Sequence, residues 1–319
     1  MRPPPTLAVI IPARNEARVI GACLRSVAAQ GWPAGRLEVI VIDDGSTDET
    51  GAIAAGLGAT VLQTGGVGPS RGRNLALRQT GAELCLFTDA DCELHAGFLD
   101  ALVGALEAAG PGVAGVGGRQ LAPPDAPAYA RRVQRFLEAA GFVSDYARTD
   151  ARVAATSHNP SCCALLRRQA VLAMGGFRDD LWPCEDLDLD LRLRRAGHRL
   201  VFVPDALVYH HRPETPAALA RMMRNYGRGH AHLWRLHGPT RLLHLMPLAT
   251  LCTVGLAPAA AVASAPAWLA WRLRRDPGAL ADVPALTAML AQSLVAWHRG
   301  FVEGLAGRSA IERPPASRG

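Results

Sequence analysis

The chain has no lysine: all 34 basic residues are arginines, set against 28 acidic ones for a formal charge of +6. That absence excludes a Schiff-base or pyridoxal lysine and a phosphate-loop lysine. The seven cysteines (23, 85, 92, 162, 163, 184 and 252) show no C-x-x-C spacing and mostly sit inside apolar runs, as reduced core residues do. No G-x-G-x-x-G follows the first apolar run, which excludes a dinucleotide-binding dehydrogenase. The start, MRPPPTLAVII, lacks a charged-then-apolar leader, so a cytoplasmic catalytic part is expected. The arginines are scattered until the C-terminal third, so no nucleic-acid footprint stands out. They suit a nucleotide diphosphate in the core, or an anionic membrane surface near the end.

What is present is a repeated strand–turn–helix device. Leu7 to Ile11 reads as a strand ended by Pro12, with Asn15 starting a helix whose apolar face is Ile20, Leu24 and Val27. Leu37 to Ile42 repeats it, with a helix beginning at Ser46 or Thr47 and Glu49 in its first turn. Ala59 to Gln63 is a third strand, and Gly66 to Thr80 a Gly-rich loop entering a helix. Leu84 to Phe87 is apolar at every position, as in a strand covered on both faces. This alternation predicts an α/β fold, an αβα sandwich with a mostly parallel sheet whose ligands sit beyond the strand carboxyl ends. Asp43, Asp44, Asp89 and Asp91 all fall at such ends. Asp89 and Asp91, one small residue apart, offer two hard oxygens to one Mn²⁺ or Mg²⁺.

Further on, Tyr129 to Phe142 predicts an amphipathic helix, and Ala164 to Asp180 a strand and helix stopped at Gly175-Gly176. In the segment from Cys184 to Gly197, Asp188 with Arg192 and Asp190 with Arg194 are i,i+4 pairs, predicting a helix with surface ion pairs. Leu200 to Val203 predicts a strand closed by Pro204. Leu245 to Trp271 carries no charged residue, long enough at ~1.5 Å per residue to span a ~30 Å bilayer core despite three prolines. Arginines flank it on both sides, which predicts re-entrant or interfacial helices, or two spans with an atypical loop. Four regions are therefore expected: 1–211 catalytic, 212–241 a basic amphipathic linker helix, 242–300 hydrophobic membrane-associated helices, and 301–319 a basic tail.

Taken in order, VIIPARNE (Val9 to Glu16), VIDDGSTDET (Val41 to Thr50), GRNLAL (Gly72 to Leu77), FTDAD (Phe87 to Asp91), GGF…CEDLDLDLRLRRAG (Gly175 to Gly197) and VPDALVYHH (Val203 to His211) resemble the family 2 glycosyltransferases. These are inverting enzymes with a GT-A fold. RNYGRGHA (Arg224 to Ala231) and HRGFVEGL (His298 to Leu305) resemble the membrane-associated, exopolysaccharide-type branch. The resemblance implies a sugar nucleotide, with a UDP-sugar favoured because an Asp carboxylate accepts from a base imide N–H. It places Pro12, Arg14, Glu16, Asp43, Asp44, Arg73 and Asp89 around the nucleotide, with Asp43 or Asp44 on the base. Asp89, Asp91 and His210 are the implied metal ligands, the metal stabilising charge on the diphosphate leaving group. Asp186 is the implied base for the acceptor hydroxyl, with Glu185 orienting it or the acceptor, both kept ionised by a helix N-terminus. Arg221, Arg224 and Arg228 close over the diphosphate, touch lipid headgroups or form a solvated face. Asn159 faces the acceptor, and Cys162 and Cys163 pack the core. The implied acceptor is a lipid-linked or cell-envelope glycan at the inner membrane. The alternatives are a catalytically silent nucleotide-sugar-binding scaffold, and a nucleotidyltransferase, which the missing lysine counts against.

Overall fold

Apolar runs without a polar face become strands covered on both sides. In β1 (Leu7–Ala13), Leu7, Val9 and Ile11 face one core with Ile20, Cys23, Leu24 and Val27 of α1 (Ile20–Ala28). Ala8 and Ile10 face the opposite core, with residues of three later helices. The computed structural model describes residues 4–140, 152–238, 256–273 and 280–308. These group into two units, one of 4–121 with 152–210, the other of 122–140, 211–238, 256–273 and 280–308.

The first unit continues through β2 (Leu37–Asp43), α2 (Thr50–Gly56), β3 (Thr60–Gln63), α3 (Pro69–Gln79), β4 (Leu84–Thr88), β5 (Cys92–Leu94), α4 (Phe98–Ala108) and β6 (Val113–Leu121). After α5 (Ala128–Ala139) in the second unit come β7 (Ala154–Thr156), β8 (Cys163–Arg167), α6 (Arg168–Ala173), α7 (Glu185–Arg195) and β9 (Arg199–His210). The sheet order is β3-β2-β1-β4-β8-β6-β9-β5, with β7 also on β9. β1 to β4 are mutually parallel, and β6 is parallel to β9. The β4–β8, β6–β8, β5–β9 and β7–β9 pairs are antiparallel. The sheet is thus mixed rather than mostly parallel, because β5, β7 and β8 run against the other strands.

Several local expectations are corrected. Asn15 does not start α1; it holds a left-handed turn (φ 58°) and the helix begins at Ile20. Ser46 and Thr47 likewise precede α2, which begins at Thr50. Both segments are stapled loops: Asn15 N–H donates to Ser46 Oγ, Thr47 N–H to Asn15 Oδ1, and Glu16 N–H to Thr50 Oγ1 at 3.0, 2.8 and 2.8 Å. Pro204 does not close its strand. β9 runs on to His210, and a register shift against β6 absorbs residues 204–206, the kind of irregularity where proline is tolerated in a sheet. Asp188 makes its pair with Arg192, but it is fully buried and held also by Arg178. Asp190 turns inward to His158.

The second unit comprises α5, α8 (Pro216–His237), α9 (Leu256–Leu273) and α10 (Val283–Leu305). Gly300 and Gly304 of α10 let it approach α8 so closely that a Cβ at Gly300 would lie 1.9 Å from Arg224 O. Glu303 of α10 binds both Arg224 and Arg228, which are therefore occupied inside this unit. Their partner lies far along the chain, beyond what helical spacing signals. Among the described residues no helix is long and apolar enough to cross a membrane. The uncharged run from 245 lies partly outside the described residues.

Candidate active site

Parallel register brings the carboxyl ends of β1, β2 and β4 to one edge, where Ala13 pairs with Asp43 and Ile10 with Phe87. Antiparallel β8 then returns Cys163 opposite Thr88, and Thr88 Oγ1 donates to Cys162 O at 2.9 Å. β5 pairs with β9 so that Cys92 lies opposite His210. The segments carrying Asp89, Asp91, Ser161 and His210 thus converge, although more than 100 residues separate the outermost.

Arg73 ties the site together. Only 2 % exposed, it donates through Nη2 to Asp89 Oδ1 at 2.7 Å and through Nη1 to Glu185 Oε1 at 2.6 Å. Its guanidinium carbon lies 5.7 Å from the Phe177 ring centroid. Asn74, next on α3, fixes the neighbouring loop: it accepts from Phe177 N–H at 2.9 Å and donates to Phe177 O at 2.7 Å. Gly176 (φ +78°) fits beneath it, where a Cβ would meet Asn74 Oδ1 at 2.3 Å.

On one side of Arg73, the carboxylates of Asp89 and Asp91 and the imidazole of His210 have ligand atoms within 4.8 Å of one another. His210 Nε2 is 3.5 Å from Asp91 Oδ2, and its Nδ1 3.3 Å from Gln120 Oε1. Two oxygens and one imidazole nitrogen suit Mn²⁺ or Mg²⁺. The local field agrees. Burial first, then Asp91, Asp89 and Asp48, pushes Glu16 up to about 7. Burial also raises Asp89 to about 6 against the opposing pull of Arg73. A divalent cation would relieve this crowding of negative charge.

On the other side lie the first residues of α7. Glu185 is buried against Arg73, and burial raises it to about 7 despite that arginine, with Asp186 adding to the rise. Desolvation thus opposes the helix terminus expected to keep Glu185 ionised. Asp186 keeps 19 % of its side chain exposed and accepts from Ser161 N–H at 3.0 Å and Leu187 N–H at 2.8 Å. His158 stands behind it, 2.7 Å from Asp190 Oδ2 through Nδ1 and 3.9 Å from Asp186 Oδ2 through Nε2. A small cavity beside Asp186 is lined by Asn159, Ser161, Phe177 and Asp190. Asn159, 2 % exposed, has neither amide atom hydrogen-bonded among the described residues.

Asp43 ends β2 and Asp44 follows it, both buried at this edge. Asp44 accepts from Thr64 Oγ1, Val67 N–H and Gly68 N–H at 2.6, 2.7 and 2.8 Å. Asp43 accepts from Ser46 N–H at 2.9 Å and Gln63 Nε2 at 3.0 Å, leaving more of its acceptor capacity open. Pro12 is half-buried opposite Ile42, and Arg14 is exposed. Sequence reasoning missed His158, Ser161, Gln120 and Asn74. His158 beside Asn159-Pro160 was the one local hint; the others depend on strand pairing.

A mixed sheet with its acidic groups gathered at the carboxyl edge defines a GT-A α/β fold. The chain belongs to glycosyl transferase family 2, whose model matches residues 8–174, more than half of the 319 residues. It is an enzyme of the glycosyltransferase class. It is 28% identical over 279 residues to Glycosyltransferase AglE of Haloferax volcanii, covering 85% of this chain and 86% of that protein. It is 32% identical over 223 residues to the pre-mycofactocin glycosyltransferase of Mycobacterium tuberculosis, covering 67% of this chain and 44% of that protein. Mannosyltransferase PcManGT from Pyrobaculum calidifontis, in complex with GDP-Man and Mn²⁺, superposes with TM-score 0.66 at 22% identity, over 96% of this chain and 88% of that one. TarS 1–349 of S. aureus, in complex with UDP-GlcNAc, gives TM-score 0.52 at 17% identity, over 98% and 97%. At these identities the structural likeness concerns the fold.

Proposed function

We propose that this enzyme transfers a sugar, with inversion, from a nucleoside-diphosphate sugar to a lipid-linked or cell-envelope glycan. The observation that carries the reading is the Asp89–Arg73–Glu185 bridge, with the Asp89/Asp91/His210 group on one side and Asp186 on the other. Asp89, Asp91 and His210 hold the cation, which when bound supplies positive charge to the diphosphate leaving group. Arg73 stays charged between two acids and sets the spacing between the donor and acceptor halves. Asp186, the exposed acid, accepts the proton of the acceptor hydroxyl at its carboxylate. Ser161 N–H and His158 keep that carboxylate oriented, while Glu185 serves Arg73. Asn159 offers a donor and an acceptor to an incoming hydroxyl beside Asp186. Asp43, with open acceptor capacity, suits a base imide N–H, so a UDP-sugar is favoured. Pro12, Arg14, Glu16 and Asp44 shape the nucleotide side.

Membrane contact at the inner membrane, with the catalytic unit in the cytoplasm, remains part of this reading. Its support is the exposed apolar surface of the second unit: Trp268 and Trp271 on α9, and Val295 and Val302 on α10. Interfacial helices fit that surface better than spanning ones.

The test is a thermal-shift panel with UDP, GDP, dTDP and CDP, each with and without Mn²⁺, beside Asp91→Ala. A Mn²⁺-dependent shift with one diphosphate, lost in the variant, is expected. No shift with any nucleotide would refute the donor assignment.

A further inference from the structure

The cation group does not stand alone. Cys92 Sγ, Cys162 Sγ and a ring nitrogen of His210 also lie within 4.8 Å of one another. Two separate strand contacts build this second cluster. The β5–β9 pairing sets Cys92 opposite His210, and the Thr88 bond to Cys162 O pins Cys162 at the end of β4. Cys163, the next residue, sits against the Cys162 thiol and reaches Gly118 O at 3.4 Å, but it is not one of the three grouped ligands. Both Cys92 and Cys162 are buried, while His210 and Asp91 keep 19 % and 34 % of their side chains accessible, so an ion has an entry side.

We propose that Cys92, Cys162 and His210 form a binding site for a soft divalent cation of the zinc class, adjoining the carboxylate site and competing with it for His210. The donor chemistry separates the two. Two carboxylates and an imidazole suit a hard ion, whereas two thiolates and an imidazole suit Zn²⁺, Cd²⁺ or Co²⁺. Tetrahedral Zn²⁺ with Zn–S of ~2.3 Å needs sulfurs ~3.8 Å apart, within reach of small side-chain shifts from a cluster of this size. Asp91 completes the fourth position: its Oδ1 lies 3.7 Å from Cys92 Sγ. Gln120 Oε1, 3.3 Å from His210 Nδ1, accepts the proton there and leaves Nε2 to the metal. One imidazole cannot serve both ions, so the soft ion displaces the hard one and acts as an inhibitor. The inference goes beyond the donor and acceptor assigned above and does not require them.

The experiment is a Co²⁺ titration of the full-length protein, followed by near-ultraviolet absorption. Wild type should show an intense thiolate-to-Co²⁺ charge-transfer band that Zn²⁺ bleaches. Cys92→Ser and Cys162→Ser should each lose the band. Their Zn²⁺ affinity should fall at least roughly tenfold, since even losing a partner behind a ligand costs 10–100-fold. Cys163→Ser should keep the band. Retention of the Mn²⁺-dependent nucleotide thermal shift in the serine variants shows that they fold and that donor binding is separate. If a serine variant does not fold, His210→Gln, which spares both thiols, should alter the band and weaken Co²⁺ binding. A wild type without the band overturns the assignment, as does a band unchanged in the folded serine variants or in His210→Gln.

Discussion

Replacing Arg73 with methionine should test the centre of the site more sharply than any change at its rim. Methionine fills much of the volume but leaves Asp89 and Glu185 facing each other's field without the guanidinium that binds both at 2.7 and 2.6 Å. Breaking a buried pair costs about 3–5 kcal/mol, because the remaining charge stays desolvated. Asp89 keeps 31 % of its side chain accessible, which discounts its share, so the lower half of that range is expected at pH 8. The loss should depend on pH. In the wild type Asp89 and Glu185 are already raised to about 6 and 7, above their ordinary values of 3.8 and 4.5. The folded state therefore holds more protons than the unfolded one across that window, and stability falls as pH rises through it. Without Arg73 both groups rise further, so the variant's stability falls more steeply and continues to fall above pH 7. Urea unfolding in EDTA at pH 5 and pH 8 reads this directly: the deficit should be about 2 kcal/mol smaller at pH 5, where the acids take up protons. An equal deficit at both pH values, or one under about 1 kcal/mol at pH 8, would refute the bridge as drawn.

Asp186→Asn should lower kcat by about 10²–10⁴-fold while nucleotide affinity is unchanged, read from steady-state rates beside donor binding; loss of donor binding would place Asp186 elsewhere. Gly176→Ala forces a side chain into a left-handed backbone and against Asn74, so it should lower Tm, with a loss of about 1–3 kcal/mol from the backbone strain alone. A neutral result would mean that the loop sits differently. In the second unit, Arg224 and Arg228 hydrogen-bond Glu303 and lower it to about 2. Its contribution is present above its unfolded value of 4.5 and is lost as pH falls towards 2. Glu303→Gln should therefore destabilise at pH 7 and converge with wild type in acid, as followed by circular dichroism.

The sequence by itself determined the apolar strands, because residues buried on both faces must be apolar at every position, as Leu84 to Phe87 are. It determined the acids at the strand ends and the helix at Glu185, where acid at the start and arginine at the end agree with the helix dipole. These are local signals, and local physics sufficed. It could not show that Arg73 joins Asp89 to Glu185, that Cys92 meets Cys162 and His210, or that Asp190 abandons a surface arginine for His158. Nor could it show that β5, β7 and β8 run against the other strands. Those outcomes rest on which strand edges pair and in what register, a choice made by long-range contacts. The ionisation of Glu185 was decided in the same way: its helix position favours the charge, but the tertiary burial of its carboxylate raises it to about 7.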